Sequence, residues 1–147
     1  GPPVQMESYY CYDLSDPRYA KAFLSNEDHW LRNLPGMLLH NIISHGIARI
    51  AEYLTTDQPE VFAFGFVSPM LRAFGEEQII DELRVVIVEE QRTTAYFTFS
   101  SQMRPSLNAF RVFGPKNGLA LDQNHETLLK LRGDTYKSYA EKFIPPI

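Results

Sequence analysis

The sequence predicts an α+β domain: an open, mostly antiparallel β-sheet with helices packed on one face. Three observations lead to this class. A β-prone segment opens the chain, a stretch of helical periodicity follows it, and after Pro59 the apolar period changes to two and stays there through successive turn signals. Strands that follow one another without intervening helices pair as antiparallel neighbours. With 147 residues, 44% of them hydrophobic and 22% charged, the chain reads as a single domain, 1–147, able to bury its own core.

Each element has a local reason. Val4 to Tyr10 alternates, which places Val4, Met6, Ser8 and Tyr10 on one face of a strand. Asp13 to Pro17 reads as a loop, and Arg18 to Ser25 as a short helix capped from Ser15 or Asp16. Asn26 to Asn33 is polar and irregular, with a helical turn. From Pro35-Gly36 to about Leu54, apolar residues recur at Leu38, Ile42, Ile43, Ile47, Ile50, Ala51 and Leu54, the mark of an amphipathic helix that Pro35 can start. Val61 to Val67, Ile79 to Glu89, Thr93 to Ser101 and Ala109 to Phe113 read as strands. Asn117-Gly118 is a tight-turn signal between the last of these and Leu119 to Leu121. Thr127 to Leu131 closes a second hairpin around Gln123-Asn124, and a tail from Tyr136 begins as helix and stops at Pro145-Pro146.

Composition excludes several classes of function. The formal net charge of −4 argues against a broad nucleic-acid footprint. No segment approaches the ~20 consecutive apolar residues of a membrane span, and no secretory signal is visible at the N-terminus. A lone cysteine, Cys11, removes any internal disulfide framework and suits a reducing compartment, so a cytoplasmic location is expected. No two of the eight glycines are spaced G-x-G, which leaves neither a dinucleotide fingerprint nor a P-loop to hold phosphates. The chain starts at Gly1 rather than Met, which suggests excision from a longer protein or residual tag residues.

Inside the long apolar helix runs a polar stripe. Asn41, His45 and Arg49 are spaced i, i+4, i+8 and share a face, with His40 and Ser44 beside them. This stripe is either a solvated helix face or a set of groups aimed into a cleft. In the second case the imidazole of His45 could exchange a proton with a substrate hydroxyl, and the amide of Asn41 could orient the substrate. A metal site is not expected, because His40 and His45 fall on different helix faces and no paired ligands join them. Cys11, between tyrosines in a strand, reads as a packed side chain rather than a nucleophile.

Three segments resemble a known family. Gly36-Met37-Leu38-Leu39-His40-Asn41-Ile42-Ile43-Ser44-His45 resembles the G-G-x-L-x-D-x-G-x-H helix of the glucose–fructose oxidoreductase/inositol dehydrogenase (Gfo/Idh/MocA) family. Gly1 to Ser8 resembles that family's first strand after its cofactor domain, and Phe113-Gly114-Pro115-Lys116-Asn117-Gly118-Leu119-Ala120-Leu121-Asp122 resembles its late hairpin. The three occur in the family's order. The resemblance implies the C-terminal domain of an NAD(P)-dependent oxidoreductase that oxidises a sugar, sugar nucleotide or polyol. The cofactor would be NAD or NADP, bound by a separate Rossmann domain and not by this chain. The resemblance places His45 on the family's histidine and Asn41 on its aspartate, where an amide keeps hydrogen bonding but cannot stabilise imidazolium. Met37 and Ile43 replace two of the motif's glycines.

Two functional expectations follow. In the first, the chain is the substrate-binding and oligomerisation domain of such an oxidoreductase, inactive alone, with His45 catalytic, Asn41 a substrate ligand, and Trp30 and Arg32 walling the cleft. Arg49 is then structural. In the second, the same fold is a non-catalytic module for self-association or partner binding. Either way the far sheet face, with Val86, Val88, Tyr96 and Thr98, is too apolar for comfortable solvation, and a homo-oligomer built through it is expected. Neither nucleic acid nor membrane is an expected partner.

Overall fold

The computed structural model describes residues 1–19, 23–90 and 93–133. Among these, β1 (Gln5–Asp13) is followed by α1 (Pro17–Tyr19), a 3-10 turn (Trp30–Asn33), α2 (Leu38–Gly46) and α3 (Ala48–Ala51). Then come β2 (Glu60–Phe66), α4 (Pro69–Ala73), β3 (Glu82–Val88), β4 (Thr94–Ser100), β5 (Gln102–Phe113), β6 (Asn117–Asp122) and β7 (Thr127–Arg132). The tail expected to begin as helix at Tyr136 lies outside the described residues, as does part of the Arg18–Ser25 helix.

The seven strands form one open sheet in the order β2-β3-β4-β1-β5-β6-β7. Every neighbouring pair is antiparallel except β1 with β4. That parallel pair arises because β1 lies between two strands that are consecutive in sequence. Ser101 alone joins β4 to β5 across the end of β1, where its carbonyl accepts from Leu14 N (2.6 Å). The buried Asp81 carboxylate holds this corner, taking Ser68 N (2.6 Å) on one oxygen and the Ser101 hydroxyl on the other.

Alternation decides the two sheet faces. Met6, Ser8, Leu83, Val85, Ile87, Ala95, Phe97 and Phe99 fall in register on one face, all buried, and α2 and α3 pack over them with Ile42 and Ile50. A second apolar cluster of Leu14, Phe23, Leu31, Leu38, Val67, Leu71 and Ile79 fills the space beside α2. Among the described residues no helix packs on the opposite face, which carries Phe62, Phe64, Val86 and Tyr96 in register, as the alternation predicted. No helix among the described residues is long and apolar enough to cross a membrane.

Three expected elements differ. The helix begins at Leu38, not at Pro35, because Met37 has φ +47° and breaks the helical backbone just before it; the helix also turns at Ile47 and ends near Ala51. β5 starts at Gln102, seven residues before Ala109. Pro105 interrupts its pattern, but its missing N–H falls where the β1–β5 register shifts, so the ladder loses nothing there. The hairpin before β6 turns on Pro115-Lys116, closed by Gly114 N to Asn117 O at 2.8 Å, and Asn117-Gly118 opens the strand instead. Gly118 is needed there for close approach, since a Cβ on it would lie 2.8 Å from Val112 O.

Candidate functional site

A cleft of about 560 Å³ opens at one end of the helix-covered face. Strand β1 contributes Tyr10, Cys11 and Tyr12; α2 contributes Leu38 and Asn41; β5 contributes Ser106 and Asn108; the β6–β7 turn contributes Asn124. The segment before α2 closes it with Phe23, His29, Trp30 and Leu31, while Leu14 adds apolar floor and Arg18, paired with Asp16, stands at its edge.

Two amides in the cleft are held in one orientation. Arg49, half-buried on α3, donates from Nε to Ser8 Oγ (2.8 Å), from Nη1 to Asn108 Oδ1 (3.0 Å) and from Nη2 to the carbonyls of Tyr9 and Ala109 (2.8 Å each). Burial draws its pKa below the ordinary guanidinium value, yet this set of acceptors is what a buried cation requires. Asn124 Oδ1 in turn accepts from the backbone N–H of Asn108. These residues come from strands and turns up to 75 positions away from α3, and only the sheet register brings them together.

The aromatic wall is layered. Trp30, 60% exposed, stacks on His29 (centroids 5.7 Å apart, 29° between planes), which meets Phe23 edge-on. His29 Nδ1 accepts from Leu31 N at 3.2 Å, so the neutral ring carries its proton on Nε2. Burial pushes the Cys11 thiol up to about 11, so it is uncharged at neutral pH and a poor nucleophile.

The residues singled out in the sequence are placed as follows. Asn41 and Trp30 line the cleft. His45 is exposed, one turn further along α2, and stacks on the cleft residue Tyr10 (5.4 Å, 10°). Arg32 faces away from the lining: it pairs with Glu76 (2.6 Å), bonds the carbonyls of Asn26 and Phe23, and lies over the Phe23 ring, bracing the wall from behind. Sequence reasoning missed Asn108, Asn124, Ser106, His29 and the two tyrosines. The only local signal was a set of polar residues in otherwise β-prone stretches. Among the described residues no group of three or more His, Cys, Asp or Glu converges on a metal-sized point.

No protein-family model matches the chain, and no curated protein matches it in sequence. Solved structures do match in fold. The WlbA dehydrogenase from Bordetella pertussis, in complex with NADH and UDP-GlcNAcA, superposes with a TM-score of 0.64 at 10% identity, over 92% of this chain and 40% of that one. An inositol dehydrogenase homologue from Azotobacter vinelandii, complexed with NADH and myo-inositol, gives 0.57 at 12% identity, over 92% and 34%. An aldose-aldose oxidoreductase from Caulobacter crescentus, complexed with glycerol, gives 0.57 at 19% identity, over 94% and 42%. The chain thus has the fold of one part of the Gfo/Idh/MocA-type dehydrogenases and spans well under half the length of these structures.

Proposed function

We propose that this chain is the substrate-binding and self-association domain of an NAD(P)-dependent oxidoreductase that acts on a hydroxyl of a sugar, sugar nucleotide or polyol. The observation that carries the reading is the cleft, which Asn41, Asn108, Asn124, Ser106, Tyr10 and Tyr12 line together with the aromatic Phe23, His29 and Trp30. Oriented amides and hydroxyls match the donors and acceptors of a ring of hydroxyls, and an aromatic face covers the ring's C–H side. The fold shared with dehydrogenases of this kind supports the same reading.

In this reading Asn41 binds and orients the substrate, Trp30 walls the cleft and Arg32 holds that wall in place. His45 orients the reacting hydroxyl or takes its proton, with Tyr10 fixing the plane of its ring. The nicotinamide, when bound, supplies the hydride acceptor. With no glycine-rich phosphate loop in this sequence, it would be held by a Rossmann domain outside the chain. A cytoplasmic setting fits the single, buried thiol.

A second reading, assembly through the open sheet face, has its own support. Phe62, Phe64 and Tyr96 are exposed together there, a patch that single copies in water rarely leave bare. It is compatible with the first, and alone it is the non-catalytic alternative. The deciding experiment incubates the protein that carries this chain with NAD⁺ or NADP⁺ and a panel of D-glucose, myo-inositol and UDP-N-acetylglucosamine, following formation of reduced nicotinamide. Reduction with at least one member is expected. Reduction with none, with assembly intact, would leave only the module.

A further inference from the structure

Hydrogen-bond direction in the cleft is fixed by chemistry. A guanidinium has only N–H groups, so the Asn108 atom facing Arg49 Nη1 at 3.0 Å must be the carbonyl oxygen. A backbone amide likewise only donates, so the Asn124 atom that meets Asn108 N must be its oxygen. Both side chains therefore turn their oxygen toward the protein and present their NH₂ groups as donors. Neither NH₂ has a protein partner among the described residues, and no side-chain nitrogen is buried without one. The Asn108 NH₂ is thus open to whatever fills the cleft. His29 follows the same rule, since Leu31 N occupies its Nδ1 and leaves Nε2–H as the neutral ring's donor. Among the described lining residues there is no Asp or Glu. The lining offers committed donors, adaptable hydroxyls and the Asn41 amide, but no committed acceptor.

We propose, resting on the reading of the cleft as a sugar site, that its ligand is an acidic sugar whose carboxylate is bound by the Asn108 NH₂ group, with Arg49 as the positioning residue that holds this amide donor-first. A neutral sugar presents hydroxyls that must both give and accept. A carboxylate only accepts, and a cleft of fixed donors without a competing carboxylate is matched to it. Arg49 is not among the residues that line the cleft, and four of its five N–H groups go to Ser8, Tyr9, Asn108 and Ala109. Its effect passes entirely through the orientation of Asn108.

The test uses pairs that differ only at one carbon: D-glucose against D-glucuronate, and UDP-glucose against UDP-glucuronate, titrated calorimetrically into the protein. In at least one pair the acid is expected to bind about tenfold tighter or more. Asn108→Asp keeps an acceptor for Arg49, and so keeps the fold, but replaces the donor by a negative charge. Affinity for the neutral partner falls with the loss of this amide's hydrogen bond, and affinity for the acid should fall about tenfold further, because the new charge faces the ligand's own. A thermal melt matching the wild type confirms that the variant is folded. Equal affinity for both members of each pair, or an Asn108→Asp variant that weakens both alike or neither, overturns this inference and leaves the sugar site standing. Binding of none of the four probes overturns the sugar site and this inference together.

Discussion

Gly46 lies directly against the ring of Phe97: a Cβ on this glycine would fall 2.0 Å from Cε2 and 2.6 Å from Cζ. The Ser8 hydroxyl donates to the Gly46 carbonyl at 2.9 Å, so helix, strand β1 and strand β4 are locked at one point. Phe97 is fully buried at the centre of the core and has nowhere to move. Gly46→Ala therefore forces α2 off the sheet and is expected to cost about 3 kcal/mol, read as a lower midpoint in urea denaturation. A cost below about 1 kcal/mol would mean that α2 is not seated on Phe97 in this way.

Met37 sits at φ +47°, ψ −123°, a conformation that suits glycine and strains any L side chain. Its side chain partly repays this by packing on the second apolar cluster. Truncating to alanine and to glycine removes the same packing, and the comparison between those two isolates the backbone. Met37→Gly should be more stable than Met37→Ala by about 1 kcal/mol, the reverse of their usual order beside a helix. Thermal denaturation of the pair decides it, and alanine equal to or above glycine would contradict the strained geometry.

How far the sequence could be read depended on whether the relevant physics was local. Leu83, Val85 and Ile87 against Ala95, Phe97 and Phe99 carry their burial in a period of two, and their strands were legible from that alone. The sheet's one parallel pair was not, because nothing local says that β1 inserts between β4 and β5. Asn117-Gly118 misled for a different reason. Its turn propensity is real, but pairing of Phe113 with Gly118 moves the turn back to Pro115-Lys116. In the cleft, Asn41 and Trp30 could be named from helix spacing and position, whereas Asn108 is oriented by Arg49, 59 residues away, and Asn124 by the backbone N–H of Asn108, 16 residues away, which only the fold brings together.

The buried carboxylate of Glu89 accepts from Thr55 N (2.6 Å), Thr55 Oγ1 (2.9 Å) and Thr56 N (3.1 Å), tying the end of β3 to the loop after α3. Burial pushes its pKa up, and the three hydrogen bonds outweigh that and hold it below the ordinary 4.5. A carboxyl whose folded pKa is depressed stabilises fully above its unfolded value and loses that contribution as pH falls through the folded one. Wild type should therefore exceed Glu89→Gln in melting temperature by a constant margin from pH 8 to about pH 5, and the margin should shrink as the pH drops below about 4. A margin independent of pH would show that the carboxylate is not the stabilising form.

Phe64 is 64% exposed on the sheet face opposite α2 and α3, in ring contact with Phe66 (5.5 Å) and opposite Arg84 in the register. If that face is where copies of the chain meet, Phe64→Glu places a charge in the contact and should shift the protein toward monomer in sedimentation velocity, with far-UV circular dichroism unchanged. An exposed side chain contributes little to the monomer's own stability, so a collapse of secondary structure is not expected. Identical sedimentation of variant and wild type would move the interface elsewhere.

His45 and Asn41 lie one helical turn apart, and the proposed function gives them separable roles. The Asn41 amide lines the cleft and has no protein partner for its side chain among the described residues, which suits the binding role proposed for it; Asn41→Ala should raise KM about tenfold and leave kcat nearly intact. His45 is displaced from the lining by Tyr10, on whose ring it stacks at 5.4 Å and 10°. That stacking fixes the imidazole plane while the residue stays exposed, which is compatible with the proton exchange proposed for it. His45→Ala should lower kcat by about a hundredfold or more with a smaller change in KM. His45→Phe preserves the stack on Tyr10 but has no nitrogen, and an equal loss of kcat in that variant assigns the effect to the proton. Full activity in His45→Phe would make the ring a prop for Tyr10 and nothing more.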